Sequence, residues 1–511
     1  MPSRHLNLAS ATSDEVRAAL SALRAEIGLP AMFPPEVLEE ARAAALRDVT
    51  RDRQDRRDIE LVTIDPPGSM DLDQAVHVAS SGDGYIVRYA IADLAAFVTP
   101  GSALDQEVNR RGTTVYGPDT RTPLHPQVLS EGAASLLPDE DRPAALWTIG
   151  LDAHGEITSA TVARALVRSR ARLTYGEAQS ALDDGSAPEP LQLLADVGRL
   201  RQERERDRGG VSLDVPEQEV TERADGSFAL SFRRTLPVEG WNAQISLLTG
   251  IAAARMMREA GVGIFRTLPP ADPRDVARLH RTAVALGIDW PPDVPYSELL
   301  HRLESRKPAH AAFLNEATTL FRGAGYLAFG VPGEDGVTVR LPSRAADPSG
   351  SPRSPAAERG DSWGDGRARH AAIAAEYAHV TAPLRRLVDR YGTEVCLAHS
   401  AGRDVPRWVA DSLPGLPRTM TATGRTASSF ERSCVDVVEA ALLGGRIGQK
   451  FDGVVVEVED HHGEPANRGE VVLRDPAVRA RVDGENLPLG QRTRVTLAEA
   501  SVPERKVRFT L

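Results

Sequence analysis

Cysteine is nearly absent. Cys396 and Cys434 are the only two in 511 residues, too few for a disulfide framework and without the spacing of a zinc site. Long apolar runs are missing as well: the longest apolar-rich stretch, residues 245–257, contains Ser246, Thr249 and Arg255 and cannot span a bilayer. The first thirty residues lack a basic start followed by an apolar core, so no secretory leader is expected, and a cytoplasmic protein without membrane attachment is the simplest reading. Lysine is confined to Lys307, Lys450 and Lys506, and the formal net charge is −11. That balance argues against a protein that coats nucleic acid through a generally basic surface. It leaves room for a protein whose positive charge is confined to a channel while its exterior stays acidic.

With 511 residues, 41% of them hydrophobic and 26% charged, the chain is of soluble globular type and too long for one ordinary core; two to four domains are expected. The stretch that organises it is 64–75. Asp65, Asp71 and Asp73 fall within nine residues there, around a Pro66-Pro67-Gly68 turn and between two segments of strand character, 60–64 and 75–79. Three carboxylates this close repel one another, and burying them is costly unless a cation lies among them. Mg²⁺ suits oxygen ligands, is usually held by one or two carboxylates, and leaves its other positions to water and substrate phosphate. On local sequence alone a solvated turn describes the same stretch. A calcium loop does not, because Val76 falls where glycine is needed and Gly82 where the bidentate glutamate belongs.

Upstream, Ser13 is placed to cap a helix with Val16, Leu20, Leu23 and Ile27 on one face, closed by Gly28. A second helix starts at Pro34-Pro35 and turns Val37, Leu38, Ala41 and Leu46 inward. The pair reads as a docking segment or a helix-turn-helix, with docking preferred. Downstream, strands are expected at 75–79, 85–90, 144–151 and 157–167, and helices at 175–182, 189–208 and 243–259. Residues 343–369 are dense in Pro, Gly, Ser, Arg and Asp without periodicity and read as a mobile loop near a substrate entrance. Beyond it, Pro383 interrupts a helix, so that Arg385 and Arg386 begin a fresh turn whose free N–H groups favour phosphate; a solvated basic pair with Asp389 is the other reading. Arg425 and Arg432, seven apart, share one face of a helix capped by Thr421 or Thr423 and running to Leu443, unless Arg432 instead pairs with Asp436. From Gly448 five short alternating strands suggest a small OB-type barrel whose aromatics are Phe451 and Phe509, so base stacking there is limited.

Asp65, Asp71 and Asp73, the segment Tyr377-Ala378-His379-Val380-Thr381-Ala382-Pro383-Leu384-Arg385-Arg386, Arg425, and the opening of the last segment, Gly448-Gln449-Lys450-Phe451-Asp452-Gly453, together resemble the ribonuclease II and ribonuclease R (RNB-domain) family over roughly residues 60–511. The resemblance implies an α+β multidomain chain: an N-terminal helical domain at 1–57, an RNB catalytic domain of mixed sheets and helices at 58–445, and an S1-like OB-fold RNA-binding barrel at 446–511. It implies a Mg²⁺-dependent processive 3′-to-5′ exoribonuclease, with Mn²⁺ as a substitute, releasing nucleoside 5′-monophosphates from single-stranded RNA as a monomer with no obligate protein partner. The metal ligands it implies are Asp65, Asp71, Asp73 and Gln74. Asp71 and Asp73 would be catalytic, Asp73 orienting water, and Arg425 would reach the scissile phosphate. Tyr116 would stack on the 3′-terminal bases with Phe313 as the opposing ring, and Tyr377, Arg385, Arg386 and Arg432 would line the RNA path.

Gln74 stands where the family has its fourth aspartate, so weaker Mg²⁺ affinity is expected, and a catalytically silent RNA-binding relative is the alternative. A phosphohydrolase of small nucleotides is a further alternative, against which the S1-like tail and Arg425 speak. The family's longer members carry two cold-shock domains for which residues 1–57 leave no room, so structured RNA with a short 3′ overhang is expected to reach the entrance.

Overall fold

The computed structural model describes residues 10–213, 217–222, 228–233, 235–305, 307–341, 366–459, 467–473 and 475–511. Most of the 343–369 segment, expected above to be a mobile loop, lies outside the described residues.

The larger part of the chain is built on five strands: β1 (Leu61–Asp65), β2 (Gln74–Ser81), β3 (Gly84–Ala92), β4 (Asp141–Leu151) and β5 (Ile157–Thr174). Alternation makes β2 and β3 a hairpin, in unbroken register from Gln74 opposite Ile91 to Ser81 opposite Gly84. β5 is long enough to pair twice. Its first part runs antiparallel to β4, and its end, from Ser169 to Thr174, runs parallel to β1. Since β1 also pairs with β2, and β3 with β4, the five strands close on themselves and leave no free edge between them. The expected strand at 157–167 stopped short because Arg168, Arg170 and Arg172 alternate with Ser169, Ala171 and Leu173, a pattern with little apolar contrast.

β1 ends at Asp65 and β2 begins at Gln74, so the acidic residues lie on the connection across one end of this closed sheet. The connection is anchored at Leu72, which is fully buried. Its N–H donates to Ser135 Oγ at 3.0 Å, its carbonyl accepts from Leu136 N–H, and Ser135 Oγ donates to Met70 O at 2.6 Å.

Five helices matter for the site. α1 (Ser10–Ile27) buries Val16, Leu20 and Leu23 as the periodicity predicts, against Phe430, Cys434 and Val437. Ser13 lies inside it, not at its cap, because the helix already begins at Ser10. α2 (Pro35–Ala45) turns Val37, Ala41 and Ala44 into a different core, that of the closed sheet. Two helices facing separate cores are docking segments, not a helix-turn-helix. Leu46, expected inward, follows the last helical residue and is 87% exposed. α3 (Pro237–Ala260) and α4 (Leu387–Ser400) pack in the main core through Ile245, Leu248, Val388 and Tyr391. α5 (Leu416–Leu443) starts five residues before the expected cap. Pro417 occupies its first turn, and Thr421 and Thr423 donate back to Pro417 O and Thr419 O from inside the helix.

The C-terminal strands β6 (Lys450–Val458), β7 (Arg468–Leu473), β8 (Arg479–Asp483), β9 (Arg492–Ser501) and β10 (Lys506–Thr510) form a closed OB-like barrel in the order β6-β7-β8-β10-β9, with β8 and β10 parallel. Phe451 and Phe509 meet edge to face at 5.8 Å inside it and are not available to bases. Val437, Val438 and Ala441 of α5 share the barrel's core, so α5 joins the barrel to the rest of the chain. Among the described residues no helix is long and apolar enough to cross a membrane.

Candidate active site

Asp73 is the deepest of the acidic residues, 5% exposed. Its Oδ1 accepts the Leu384 N–H at 2.7 Å, and its Oδ2 lies 3.6 Å from Arg385 Nε. Burial outweighs both and pushes its carboxyl up to about 8. Asp65, half-buried at the end of β1, is pushed up to about 6, first by burial and then by the charge of Asp71, with Arg385 and Arg172 opposing. Asp71 is held differently: Arg121 Nη1 lies 2.8 Å from its Oδ1, and the Tyr116 hydroxyl donates to its Oδ2 at 3.4 Å.

Tyr116 and Arg121 reach Asp71 together because they face each other across a short hairpin, Val115–Tyr116 against Arg121–Thr122, turned by Gly117-Pro118-Asp119-Thr120. Arg121, which also pairs with Glu131, is the site residue that sequence reasoning missed. The Gly-Pro-Asp turn was the signal that could have found it, since a hairpin there puts residue 121 beside residue 116. α1 braces the tip of this hairpin. Arg24 pairs with Asp119, whose Oδ1 also accepts the Thr120 N–H at 2.9 Å, and the Arg24 guanidinium lies 5.6 Å from the Phe430 ring centroid. Arg24→Ala is expected to speed amide exchange at Thr120 about tenfold while leaving the β2–β3 hairpin unchanged, the loss of roughly one charge-assisted hydrogen bond; exchange rates followed by NMR or mass spectrometry test this.

Gln74 is hydrogen-bonded away from the acidic side chains, through a tyrosine that still feels the charge of Asp65 and Asp73. Its Oε1 accepts from the Tyr89 hydroxyl across the strand pair and from Ser246 Oγ of α3 at 3.2 Å, and those two hydroxyls lie 2.9 Å apart. In this arrangement the oxygen expected to face a metal is shared by two hydroxyl donors.

The segment before α4 also differs from expectation. No helix precedes Pro383: residues 377–382 run without regular structure into a turn at 383–385, and Arg386 is the N-cap of α4, with extended backbone at φ −134°, ψ 122°. The Leu384 N–H is spent on Asp73 and is not open to phosphate. Arg386 forks onto Asp389 at 2.7 and 2.9 Å, and this buried partner raises its pKa. Arg386 is thus a structural pair with Asp389, whereas Arg385 is exposed and points its charge at Asp73 and Asp65.

Two of the aromatic residues expected on the RNA path, Tyr377 along it and Phe313 as a stacking ring, are in the core. Tyr377 is buried with Ile251 and Ile373, edge to face with His379 at 5.5 Å, and so close to Gly250 that a Cβ there would overlap its ring. Phe313 is fully buried, 6.0 Å from the Trp290 centroid in an edge-to-face contact among the helices Pro273–Ala285, Tyr296–Arg302 and Pro308–Ala317. Of the three, Tyr116 alone is exposed, at 39%.

Arg425 and Arg432 are both exposed on α5. The pKa of Asp436, one turn on, is raised by burial, and the charge of Arg432 only opposes that shift. Arg425 makes no ion pair among the described residues. The contact of α5 with the site backbone is made by Thr423, two residues earlier and about 200° around the helix from Arg425. Gly112 has φ +65°, and a Cβ on it would fall within 2.5 Å of the Thr423 side chain. The Gly112 carbonyl accepts the Leu387 N–H, and Thr114 N–H donates to Arg385 O. The start of α5 therefore lies against the backbone that holds Arg385.

The donor set at this end of the sheet is all oxygen, and the mutual charge of Asp65 and Asp71 is of the kind a hard cation relieves. Among the described residues no three His, Cys, Asp or Glu converge to hold a metal ion. Asp65 and Asp71, whose charges act on each other, are the pair that best fits a hard cation completed by water or substrate.

Residues 53–394 match the RNB domain, and residues 449–511 match the RNase II-type exonuclease C-terminal S1 domain. Ribonuclease R of Aquifex aeolicus is 24% identical over 460 residues, which span 86% of this chain and 60% of that protein. The chain thus spans less than two thirds of this curated relative's length. Among solved structures, Mycoplasma genitalium RNase R in complex with ribose-methylated single-stranded RNA superposes with a TM-score of 0.80 at 19% identity, covering 98% of this chain and 78% of that one. The same enzyme in complex with double-stranded RNA gives 0.78 at 20% identity, covering 98% and 83%. Yeast Ssd1, described as a pseudonuclease, gives 0.63 at 14% identity, covering 89% and 51%. With the RNB match extending over most of the closed sheet, its acidic connection and the Arg385 turn, this chain belongs to the RNB-domain family.

Proposed function

We propose that the chain is a 3′-to-5′ exoribonuclease that shortens single-stranded RNA processively and releases nucleoside 5′-monophosphates. It would act as a cytoplasmic monomer without an obligate protein partner. The observation that carries the reading is a chain of pairwise links at one end of the closed sheet: Arg385 beside Asp73, Asp65 feeling the charges of Asp71 and Arg385, and the exposed Tyr116 on Asp71.

In this reading Asp65 and Asp71 would hold Mg²⁺, or Mn²⁺ in its place, which would neutralise phosphate charge and polarise the phosphorus centre. Tyr116 stacks on the terminal base and fixes the register of the last phosphodiester. Arg385 binds a non-bridging phosphate oxygen as a point of attachment beside Asp73. Asp73 Oδ2, the oxygen not engaged by Leu384, accepts the proton of the water that attacks phosphorus in line once the carboxyl is ionised, a form that Arg385 favours and a bound cation would favour further, while the 3′ oxygen of the preceding nucleotide leaves. Arg425, unpaired on α5, balances the charge that develops on the pentacovalent phosphate.

One observation favours a second reading. Gln74 is committed to Tyr89 and Ser246, so this end of the sheet has one carboxylate fewer than the family's pattern, and the fold is shared with a pseudonuclease. A silent RNA-binding protein would bind RNA without turnover. The deciding experiment follows a 5′-labelled single strand with Mg²⁺, with EDTA, and with the Asp73→Asn protein. A ladder shrinking from the 3′ end only in the first arm supports the exonuclease. Intact RNA retained in a gel shift supports the silent relative. The same assay on a duplex with a short 3′ overhang tests whether paired RNA is admitted, as the RNase R complex with double-stranded RNA suggests for that enzyme.

A further inference from the structure

His125 lies in Pro123-Leu124-His125-Pro126 and is 1% exposed. Its Nδ1 is 3.2 Å from Leu384 O. A carbonyl oxygen only accepts, so Nδ1 carries the proton and donates it. Nε2 is buried without a partner among the described residues. Burial, with Arg390 and Arg111 nearby, holds the imidazole neutral, its pKa lowered to about 4. A site that needed only filling would be served by an apolar side chain without an orphaned nitrogen.

Leu384 is the residue whose N–H donates to Asp73 Oδ1 at 2.7 Å. It is gripped on both sides, N–H on Asp73 and carbonyl on His125. The next carbonyl, Arg385 O, accepts from Thr114 N–H at 3.0 Å and from Thr113 Oγ1 at 2.9 Å. Thr114 Oγ1 in turn accepts the Leu124 N–H at 3.0 Å. Two chain segments far apart in sequence, 113–125 and 384–385, are therefore tied into one hydrogen-bonded ring against Asp73.

We propose that His125 is a positioning residue for Asp73: by holding Leu384 O it keeps the Leu384 N–H on Oδ1, leaves Oδ2 as the oxygen turned to the reaction, and sets the direction in which Arg385 leaves the turn. The kinetic part of this inference rests on the exonuclease reading; the structural part does not.

Three variants separate the roles. Asparagine places an amide donor where Nδ1 stands, glutamine places one nearer to Nε2, and leucine fills the space without a donor. His125→Asn is expected to keep the single-turnover rate within about threefold of wild type. His125→Gln and His125→Leu should lower it by about 10–100-fold with RNA affinity within twofold, because a displaced base costs rate rather than binding. Amide exchange at Leu384, measured without RNA or metal, should quicken at least tenfold in the last two and not in the first. If His125→Gln matches His125→Asn in both readouts, the donor position is irrelevant and the proposal falls. Should His125→Leu fail to fold, the Asn and Gln pair still decides. If wild type proves inactive on RNA, the exonuclease reading fails while the Leu384 exchange pattern still upholds or overturns the positioning role.

Discussion

Asp73→Asn is expected to abolish turnover, lowering kcat by about 10²–10⁴-fold, and at the same time to make the protein more stable at pH 8 than the wild type. The carboxyl is pushed up to about 8 in the folded chain by burial, against about 3.9 in an unfolded one. Below about pH 4 both states hold the proton and the carboxyl makes no pH-dependent contribution. Between about 4 and 8 the unfolded chain has released it and the folded chain retains it, so stability falls as pH rises through that window and levels off above it. The integrated loss is on the order of 5 kcal/mol for a shift of this size. Asparagine has no proton to release, and its Oδ1 still accepts the Leu384 N–H. Urea denaturation of both proteins in EDTA at pH 5 and pH 8 reads the difference: the variant's advantage should grow with pH. Parallel pH profiles for the two proteins would mean that Asp73 is not desolvated as its contacts indicate. The prediction also explains why a carboxylate is kept where an amide would stabilise the fold, since destabilised groups of this kind mark sites selected for chemistry.

What the sequence made legible was local. The three aspartates are read from spacing, the β2–β3 hairpin and the barrel strands from alternation, and the buried face of α1 from a 3.6-residue period, because each of these signals is contained within a dozen residues. What it left illegible depended on residues distant in the chain. The oxygen of Gln74 is claimed by Tyr89 and by Ser246, 172 positions away, and nothing near Gln74 announces either. Tyr377 and Phe313 are aromatic residues expected on the RNA path, but a ring's identity does not say whether its face meets RNA or a core. Arg385 and Arg386 are adjacent and chemically alike; they divide because Arg386 is the N-cap of α4 and has Asp389 within its first turn, while Arg385 precedes it. Arg121 needed the hairpin turn to be recognised before its closeness to Tyr116 could be.

Arg425→Ala is expected to lower kcat by about 10²–10³-fold with little change in RNA affinity and none in stability. The argument begins with what Arg425 does not do. It is exposed on α5 and makes no ion pair among the described residues, while the helix around it is held by buried Met420, Ala427 and Phe430. Removing it leaves no buried charge uncompensated and no cavity, so unfolding midpoints in urea should coincide with wild type. The role proposed for it is therefore one played when RNA is bound; the contact of α5 with the backbone that carries Arg385 is made by Thr423, on another side of the helix. Arg425→Lys should recover only part of the lost rate, because a single ammonium cannot match the two parallel donors of a guanidinium on phosphate. Burst-phase kinetics on a 3′-labelled RNA separate the chemical step from release and carry the test. If the rate of the chemical step is unchanged in Arg425→Ala, the developing charge is balanced instead by Arg385, whose Nε already lies 3.6 Å from Asp73, and the loss should then appear in Arg385→Ala.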